Sequence, residues 1–404
     1  MEDIEIPSHF ICPISLQLMR DPVTVTTGIT YDRGSIEKWL FVCKNNTCPM
    51  TKQVLTDFEL TPNHTLRRLI QAWCMLNACY GIERIPTPKP QISKSQIFKF
   101  LDDVKKSPLH LQIKSLQNLK TVVLENERNK KYLEDNSSAI EFLASLVTKN
   151  NTNSNLVDEA LSILFNLEIS EKNMKNLVNR IDQEFVDSLI QILKCGNYQS
   201  RANGIKLLKS IYEVSDPIQL MGTRPELFNE TARVFQDQIS YQALKTGLKL
   251  LVELCPWGRN RIKAVQAGLV SVLIELLLET SDKKACELAL VVLEQICRCA
   301  EGRAGLLDHA GGLAVVSKKI MRISHLASDR AVRILSSISK CSANAKVLHE
   351  MLQVGVVAKL CWVLEVETSV KTKERSREIL RLHSRVWRNS SCIPSHLLSS
   401  YPSS

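Results

Sequence analysis

Residues 247–254 read Gly-Leu-Lys-Leu-Leu-Val-Glu-Leu, in which a small residue is followed by leucine four positions later and by another leucine seven positions later. These spacings place the three side chains on one face of an α-helix, where the small residue allows a neighbouring helix to approach closely. The pattern recurs with its small residue at Ser115, Ala160, Gly204, Gly247, Ala289, Ala331 and Ser376. Only the last copy departs from it, because His383 takes the third apolar position. The spacing predicts a helical repeat of about 43 residues.

The turns between helices show the same period. Gly268, Gly312 and Gly355 are separated by 44 and 43 residues, and each precedes an apolar helix start. Glycine at such a position suits a left-handed or tight inter-helix turn. A helical unit of this length is typical of armadillo and HEAT arrays. We therefore predict about seven armadillo-like repeats over residues 96–389, forming an α-solenoid with a groove.

The composition agrees with a mainly α-helical chain. The 404 residues include only 14 Gly and 14 Pro, and 5% are aromatic, whereas 44% are hydrophobic. Scarce turn-formers and scarce sheet-favouring rings favour helices. The net charge of +10 is spread over the length and shows no aromatic-basic interleaving, so we expect no nucleic-acid partner.

The cellular compartment is indicated by the first residues and by the cysteines. The first ten residues show no secretory signal, and the longest apolar run, residues 268–278, is too short to span a bilayer. Thirteen scattered cysteines indicate free thiols in a reducing compartment. We expect a cytoplasmic protein without a transmembrane segment, with nuclear presence left open.

Four regions follow one another along the chain. Residues 5–80 are compact and mixed in pattern, residues 81–95 form a Pro-rich linker, residues 96–389 carry the repeats, and residues 390–404 are a flexible Ser-rich tail. In the first region Val23 and Val25 alternate with threonines as in a strand, and Gly28 turns the chain into a second strand. Asp32 is placed to cap a helix over residues 33–41, and Thr65 to cap a closing helix. This predicts a small α+β module.

Six short segments of this module resemble the U-box family of ubiquitin ligases. They are residues 10–16 (FICPISL), 19–23 (MRDPV), 28–33 (GITYDR), 36–39 (IEKW), 48–51 (CPMT) and 60–63 (LTPN). They occur in the order and at the spacing of that family. Together with the helical repeats, the chain is similar to plant U-box/armadillo ubiquitin ligases, of the short type without an additional domain before the U-box.

The resemblance implies a RING-like fold without zinc. A RING needs eight Cys or His ligands in closely spaced pairs around two zinc ions. The module offers seven and no C-x2-C pair: His9, Cys12, Cys43, Cys48, His64, Cys74 and Cys79. We therefore expect no metal and no cofactor. The family pattern implies that hydrogen bonds and ion pairs replace the zinc sites, with five expected carriers: Asp21, Asp32, Arg33, Glu37 and Asn63.

The same resemblance implies that the module docks a conjugating enzyme charged with ubiquitin. The ligase then positions the thioester next to a substrate lysine and forms no covalent intermediate itself. Docking is expected from two loops and the helix between them, through Ile14, Leu16, Trp39 and Pro49. Lys52 stands where many members carry an arginine, and it lacks the planar multi-donor fork of that residue. Stress, defence or hormone signalling is the context that the family implies.

Three alternatives stay open at this point. The alternative explanation of Ile14, Leu16 and Trp39 is that they are core residues, and the alternative function of the chain is that of a non-catalytic armadillo scaffold whose U-box is degenerate. A covalent route would need a nucleophilic cysteine, for which Cys43, Cys48 and Cys255 are formal candidates without a recognisable Cys/His arrangement.

The sequence indicates less about the partners of the array than about those of the module. The Trp and Asn ladder of armadillo-type nuclear-import receptors is missing from the third helices, which argues against nuclear-localisation peptides as cargo. Arg259, Arg303 and Lys346 each stand nine residues before a turn glycine, so they could form a basic stripe in the substrate groove for an acidic segment. Basic residues that complement helix ends would look the same.

Overall fold

The fold is taken from a computed structural model, which describes residues 5–86, 92–149, 154–180, 183–387 and 401. The middle of the expected linker, residues 87–91, and most of the expected tail lie outside the described residues. The chain divides into two compact units, Met1–Leu143 with Asn166–Glu168 and Ala144–Phe165 with Ile169–Ser404. The first unit therefore contains the N-terminal module together with the first helices of the array.

The N-terminal module is built on a three-stranded antiparallel sheet of order β2-β1-β3. Its strands are β1 Pro22–Thr24, β2 Thr30–Asp32 and β3 Thr61–Pro62. Val23 faces Tyr31 across one pair and Pro62 across the other. The predicted hairpin between β1 and β2 is confirmed, and Gly28 turns it with a φ of +80°.

Two helical segments complete the module. Helix α1 Arg33–Glu37 continues as one π-helical turn, Lys38–Val42, and helix α2 is His64–Leu76. The module's core is a cluster of fourteen buried side chains: Phe10, Cys12, Met19, Val23, Val25, Tyr31, Ile36, Leu40, Cys48, Leu55, Leu60, Ile70, Cys74 and Ile85. Ile85, from the segment expected to be linker, is only 5% exposed, so the start of that segment packs onto the module.

Two predicted helix caps are wrong in their partners. Asp32 occupies the position before α1, yet its Oδ1 accepts hydrogen bonds from the backbone N–H groups of Arg20 and Asp21 instead of from the helix. The cap of α2 is Asn63, whose Oδ1 accepts from the N–H of Leu66 at 3.0 Å, whereas Thr65 lies inside the helix. The partners of Asp32 lie 12 and 11 residues away in the chain, whereas the cap of α2 is a local bond from a residue two positions before the predicted one.

The remainder of the described chain is helical. Its helices are α3 Lys94–Lys106, α4 Leu109–Glu125, α5 Glu127–Glu134, α6 Ser137–Lys149, α7 Ser154–Asn166, α8 Glu171–Arg180, α9 Gln183–Cys195, α10 Tyr198–Val214, α11 Pro217–Met221, α12 Pro225–Gln236, α13 Tyr241–Leu254, α14 Gly258–Gln266, α15 Leu269–Glu279, α16 Lys283–Ile296, α17 Ala300–Asp308, α18 Gly312–Lys319, α19 His325–Cys341, α20 Ala345–Gln353, α21 Val356–Glu365, α22 Val370–Leu382 and α23 Ser384–Trp387. From α8 onward they group in threes, so the mainly α, armadillo-like prediction is confirmed.

The seven recurring small residues all lie on helices, and in the second unit they mark the third helix of each repeat. Helices α10, α13, α16, α19 and α22 pack in succession on one another. At Gly247 on α13 a Cβ atom would lie 2.5 Å from Cε1 of Phe235 and 2.9 Å from Cδ1 of Ile205. The small residue is therefore required by the close approach of neighbouring helices.

The three turn glycines do not share one conformation. Gly268 and Gly355 have φ values of +73° and +76°, as a left-handed turn requires. Gly312 instead starts α18, where a Cβ atom would lie 2.0 Å from the carbonyl oxygen of Leu306. The periodic glycine thus meets either of two constraints, a left-handed backbone or a close backbone contact.

The last repeat ends the array with polar and aromatic groups. Nε2 of His383, which breaks the apolar pattern, lies 3.0 Å from the carbonyl oxygen of Ser339. Its ring lies 5.1 Å from that of Trp387, centre to centre, with the two planes tilted by 60°. Trp387 is fully buried and donates from Nε1 to the carbonyl of Leu348 at 3.0 Å. The departure from the pattern therefore places a polar ring against a carbonyl of the preceding third helix, α19.

In the part of the chain that the structure describes, one helix pair has membrane-spanning potential. Over the described ranges, no helix alone is both long and apolar enough to cross a bilayer. The pair Ala345–Gln353 and Val356–Glu365 passes by length and composition only when its two members, which are bent by 62°, are taken together.

Candidate functional site

Two loops of the N-terminal module have the same construction. In the first, the N–H of Leu16 bonds to the carbonyl of Cys12 at 2.8 Å, and in the second the N–H of Lys52 bonds to the carbonyl of Cys48 at 2.9 Å. Leu16 and Lys52 both have left-handed backbones, with φ values of 55° and 60°. A non-glycine residue seldom adopts this conformation, so its presence at matching positions indicates one shared loop design.

The loops also share a sequence pattern that was not predicted. Residues 12–17 read Cys-Pro-Ile-Ser-Leu-Gln and residues 48–53 read Cys-Pro-Met-Thr-Lys-Gln. Each loop is closed by an isolated β-bridge, Ile11 with Leu18 and Thr47 with Val54. The repeat of Cys-Pro and Gln at the same spacing was the available signal. It makes Met50, which is 58% exposed, the equivalent of Ile14.

The residues expected to dock a partner lie on these loops and on the helix between them. Leu16 is 77% exposed, whereas Ile14, Trp39 and Pro49 are half-buried. Ile14 and Trp39 pack against the module's core while keeping part of their surface accessible, so they contribute to the core and their docking role stays a prediction.

Trp39 joins the helix to the second loop. Its Nε1 donates to the carbonyl of Thr47 at 2.8 Å, and Nζ of Lys52 lies 5.8 Å from the centre of its ring. The hydrogen bond fixes the orientation of the indole, and the lysine lies within cation–π range of its face. The structure thus brings Trp39, the second loop and Lys52 into one partly exposed group.

A polar network beneath the second loop holds it in place. Sγ of Cys48 lies 3.2 Å from Oγ1 of Thr27 and 3.0 Å from the hydroxyl of Tyr31, which also accepts from the N–H of Met50. Burial opposes ionisation of this thiol, but hydrogen bonds from Thr27, Thr51 and Tyr31 together outweigh it and lower the pKa of Cys48 to about 6. Burial raises the pKa of Tyr31, so its hydroxyl stays protonated and able to donate.

The first loop has a matching sulfur anchor. Sγ of Cys12 accepts from the N–H of Asp32 at 3.3 Å. Burial again opposes ionisation, but this bond and those from Ser15 and Ile14 lower the pKa of Cys12 below its usual value. Each loop is therefore pinned through a buried sulfur that accepts hydrogen bonds.

The residues expected to replace the zinc sites fall into two clusters. Arg33 is 8% exposed, and its Nε donates to Oδ2 of Asp21 at 2.6 Å while Nη1 lies 3.9 Å from Oε1 of Glu37. Asp32 binds the backbone of the same segment, as described above. These four residues tie the end of the first loop to the start of α1.

Asn63 forms the second cluster. Its Nδ2 lies 3.5 Å from Oγ1 of both Thr24 and Thr30, and its backbone N–H donates to the carbonyl of Pro22 at 2.9 Å. It therefore ties α2 to the sheet. Among the described residues, no group of three or more His, Cys, Asp or Glu side chains is placed to hold a metal ion.

The cysteines considered for a covalent route differ in access. Cys48 and Cys255 are both fully buried. Burial raises the pKa of Cys255 to about 12. Cys43 is exposed. A buried thiol is unavailable to a protein-sized thioester, so this arrangement disfavours Cys48 and Cys255 as nucleophiles.

The three residues of the expected basic stripe lie on the first helices α14, α17 and α20, but Arg259 and Lys346 are the second residue of their helices and Arg303 is the fourth. Their environments differ, because Arg259 and Lys346 are exposed while Arg303 is half-buried. Arg303 donates from Nε to Oγ of Ser342 at 3.0 Å and from Nη1 to the carbonyl of Cys297 at 3.2 Å. Its guanidinium is thus engaged at the end of α16, where a cation complements the helix dipole.

Comparison with known proteins identifies a family for each of the two parts of the chain. The model of the family described as "U-box domain" matches residues 6–78, and that of "Plant U-box protein ARM repeat region" matches residues 96–403. The chain is 54% identical to "E3 ubiquitin-protein ligase PUB23" of Arabidopsis thaliana, over 99% of this chain and 98% of that protein. It is 49% identical to "E3 ubiquitin-protein ligase PUB22" of the same plant, over 99% of each.

One solved structure shows the fold of the array. It is described as "A conserved phosphorylation switch controls the interaction between cadherin and beta-catenin in vitro and in vivo". Its TM-score is 0.61 with 12% sequence identity, and the match covers 81% of this chain and 58% of that one. At this identity the likeness concerns the fold alone.

Proposed function

The chain belongs to the plant U-box ubiquitin-protein ligases with an armadillo-repeat region, which are RING-type ubiquitin transferases, and we propose that its two Cys-Pro loops and the helix between them dock a ubiquitin-charged conjugating enzyme. The observation that carries this proposal is the paired loop construction. It presents Leu16 and Met50 to solvent at 77% and 58% exposure, and the helix between the loops adds a tryptophan whose indole is fixed by a hydrogen bond. An apolar face held by a rigid polar frame is what a protein interface needs.

The ligase promotes the reaction by positioning the two reactants. The amine of a substrate lysine attacks the thioester carbonyl, the carbon–sulfur bond breaks, and the conjugating enzyme's cysteine leaves as the thiolate while the new amide loses a proton. None of these bonds involves an atom of this chain. The ligase holds the two reactants together, and orientation of this kind supplies a large part of a rate enhancement.

Lys52 is proposed to face the bound ubiquitin. It lies at the end of the second loop with its charge beside the Trp39 ring. From there a lysine offers one compact ammonium, whereas an arginine would offer several donors in a plane. We therefore expect Lys52 to stabilise the productive arrangement of ubiquitin less strongly than an arginine would.

The remaining parts of the proposal concern the array and the setting. The armadillo-like repeats over residues 96–389 bind the protein substrate. The U-box over residues 5–80 recruits the charged conjugating enzyme that modifies this substrate. We place the protein in the cytoplasm, with the nucleus as a second location, and in stress, defence or hormone signalling, because plant U-box/armadillo ligases of this type suggest that setting. The non-catalytic scaffold alternative has no specific support beside two relatives named as ligases.

A reconstituted assay tests the proposal. Wild-type protein is incubated with activating enzyme, a panel of conjugating enzymes, ubiquitin and ATP, and ubiquitin chains are detected. Ile14→Ala and Trp39→Ala are expected to abolish the chains while the helical circular dichroism of the array is retained. Absence of chains with every conjugating enzyme would exclude ligase activity, and unchanged activity of both variants would exclude this docking face.

A further inference from the structure

Helices α16 and α19 each carry a carboxylate that is shared by two arginines. Glu294 on α16 is buried, and its carboxylate binds Nε of Arg298 at 3.0 Å and Nη1 of Arg330 at 3.1 Å. One arginine follows on the same chain segment and the other comes from the next third helix, α19. A single carboxylate neutralises only one guanidinium, so this cluster retains one positive charge.

The next repeat contains the same arrangement. Asp329 on α19 binds Nε of Arg333 at 2.7 Å and Nη1 of Arg375 from α22 at 3.1 Å, and it also accepts from Oγ1 of Thr372 at 3.0 Å. The guanidinium groups are held in place by these bonds yet keep N–H donors that the carboxylates do not use. Cations that are fixed in advance lose little conformational entropy when a ligand binds.

An open cavity of about 1060 Å³ lies between α19 and α22. We refer to this cavity and the two arginine clusters together as the face of α16, α19 and α22. The lining residues of the cavity are Lys340, Glu374, Arg377, Glu378, Arg381 and Leu382. Lys340 pairs with Glu378 at 2.7 Å. Arg377 and Arg381 are exposed one turn apart on α22, and within the described part of the chain neither belongs to an ion pair.

Charge and surface chemistry together define the kind of ligand that fits the cavity between α19 and α22. On α19 and α22 the residues Arg333, Lys340, Arg375, Arg377 and Arg381 stand against Asp329, Glu374 and Glu378. The cations are in excess, and most of them are arginines, whose planar donor set matches a carboxylate. Leu382 is 54% exposed beside them, so the cavity also offers an apolar contact.

We infer that the face of α16, α19 and α22 binds an acidic segment of the protein substrate, one in which Asp and Glu side chains accompany an apolar residue. This inference rests on the proposed role of the repeats in substrate binding and names the chemical class of that substrate. The acidic side chains meet the spare arginine donors, and the apolar residue covers Leu382. The face differs from the stripe expected from the sequence, because Arg259, Arg303 and Lys346 lie on first helices.

The arginines have a competing structural explanation, since Glu294 and Asp329 also tie successive helices together. Arg377 and Arg381 have no such role within the described residues, and they are therefore the positions to change. Charge reversal there removes cations from the cavity and leaves the inter-helix ion pairs intact. Lys172 and Lys194, exposed on α8 and α9, provide a control variant with the same change in net charge.

Fluorescence anisotropy with a labelled peptide in which Glu and Asp alternate with Leu tests the inference on the full chain. We expect saturable binding that weakens as salt is added, no comparable binding of the matching Lys peptide, and at least about tenfold weaker binding by Arg377→Glu/Arg381→Glu. The control Lys172→Glu/Lys194→Glu should bind like wild type. Circular dichroism and the milder Arg377→Ala/Arg381→Ala variant separate loss of binding from loss of fold.

Three results would overturn the inference: no binding of the acidic peptide by wild type, equal weakening in the test and control variants, or equal binding of the Lys peptide. Ubiquitin chain formation is measured in parallel, because both reversed residues lie outside the U-box. Chains without peptide binding would reject the inference alone, whereas absence of chains in wild type would reject the proposed function.

Discussion

The U-box and the armadillo-like array are stabilised by different physical means. In the U-box, buried and half-buried polar groups fix the positions of the loops and helices. They are Arg33 with Asp21, Cys48 with Tyr31, and Asn63 between a helix and the sheet. In the second unit, the third helices repeat one apolar pattern, and small residues such as Gly247 set their spacing. A polar frame can hold short loops in one conformation, while apolar repetition extends a surface.

This difference explains how each part holds its exposed side chains in place. The two Cys-Pro loops are short, and the left-handed backbones of Leu16 and Lys52 persist only because the surrounding bonds over-determine them. The array needs no such frame, so its third helices are free to present charged side chains on one face. The contrast predicts that single polar changes damage the U-box and single volume changes damage the array.

The largest effect is expected at Arg33. Replacing this buried residue by alanine leaves the carboxylate of the half-buried Asp21 without its partner, which should destabilise the U-box by about 3 kcal/mol, the low end of the range for a fully buried pair. Urea unfolding followed by tryptophan fluorescence measures it. Arg20→Ala, at an exposed position of the same module, is the control and should change little. Equal stability of the Arg33 and Arg20 variants would show that the polar frame is unimportant.

A volume change should have the next largest effect, and in the other part of the molecule. Gly247→Val places a side chain against Phe235 and Ile205, which should destabilise the array by about 1–3 kcal/mol through overpacking. Thermal melting by circular dichroism measures this. Gly258→Ala, where an added Cβ meets nothing within 4 Å, is the matched control. Ubiquitin discharge to free lysine, which needs only the U-box, should be retained in both variants.

Acid should weaken the U-box selectively. The pKa of Cys48 lies near 6, below its usual value of 9.0, so the thiolate stabilises the folded module at high pH and this stabilisation is lost as the pH falls through 6. Cys48→Ala should remove this part of the pH dependence. Cys74→Ala serves as the control, because burial raises the pKa of that thiol. Identical pH profiles for wild type and Cys48→Ala would contradict the proposed thiolate.

The smallest effect is expected at Lys52. Lys52→Arg restores a multi-donor group beside Trp39 and should raise the rate of ubiquitin discharge by about threefold. Lys44→Arg is a close control, because Lys44 is also exposed and has a φ of 54°. A rate that is unchanged in both variants would mean that this position does not contact ubiquitin.

The sequence predicted the features that depend on local spacing. The β1–β2 hairpin and the third helices of the repeats follow from periods of two and of three to four residues, and the structure contains them. It did not predict the partners of Asp32, because the fold brings Arg20 and Asp21 next to that side chain. The cap of α2 at Asn63 is local, but Thr65 offers similar capping chemistry two residues later, so local pattern alone did not choose between them. The shared Cys-Pro loops were visible in the sequence, and the arginine pairs on Glu294 and Asp329 became apparent only once successive helices were packed.

The most direct test of the paired-loop docking face is single-turnover discharge of a ubiquitin-charged conjugating enzyme. Leu16→Ala and Met50→Ala alter equivalent loops, and Leu76→Ala alters a side chain of the same module that is 80% exposed, close to the 77% of Leu16. We predict that both loop variants slow discharge by about tenfold or more while Leu76→Ala matches wild type. Discharge at the wild-type rate in both loop variants, or an equal loss in Leu76→Ala, would contradict the account.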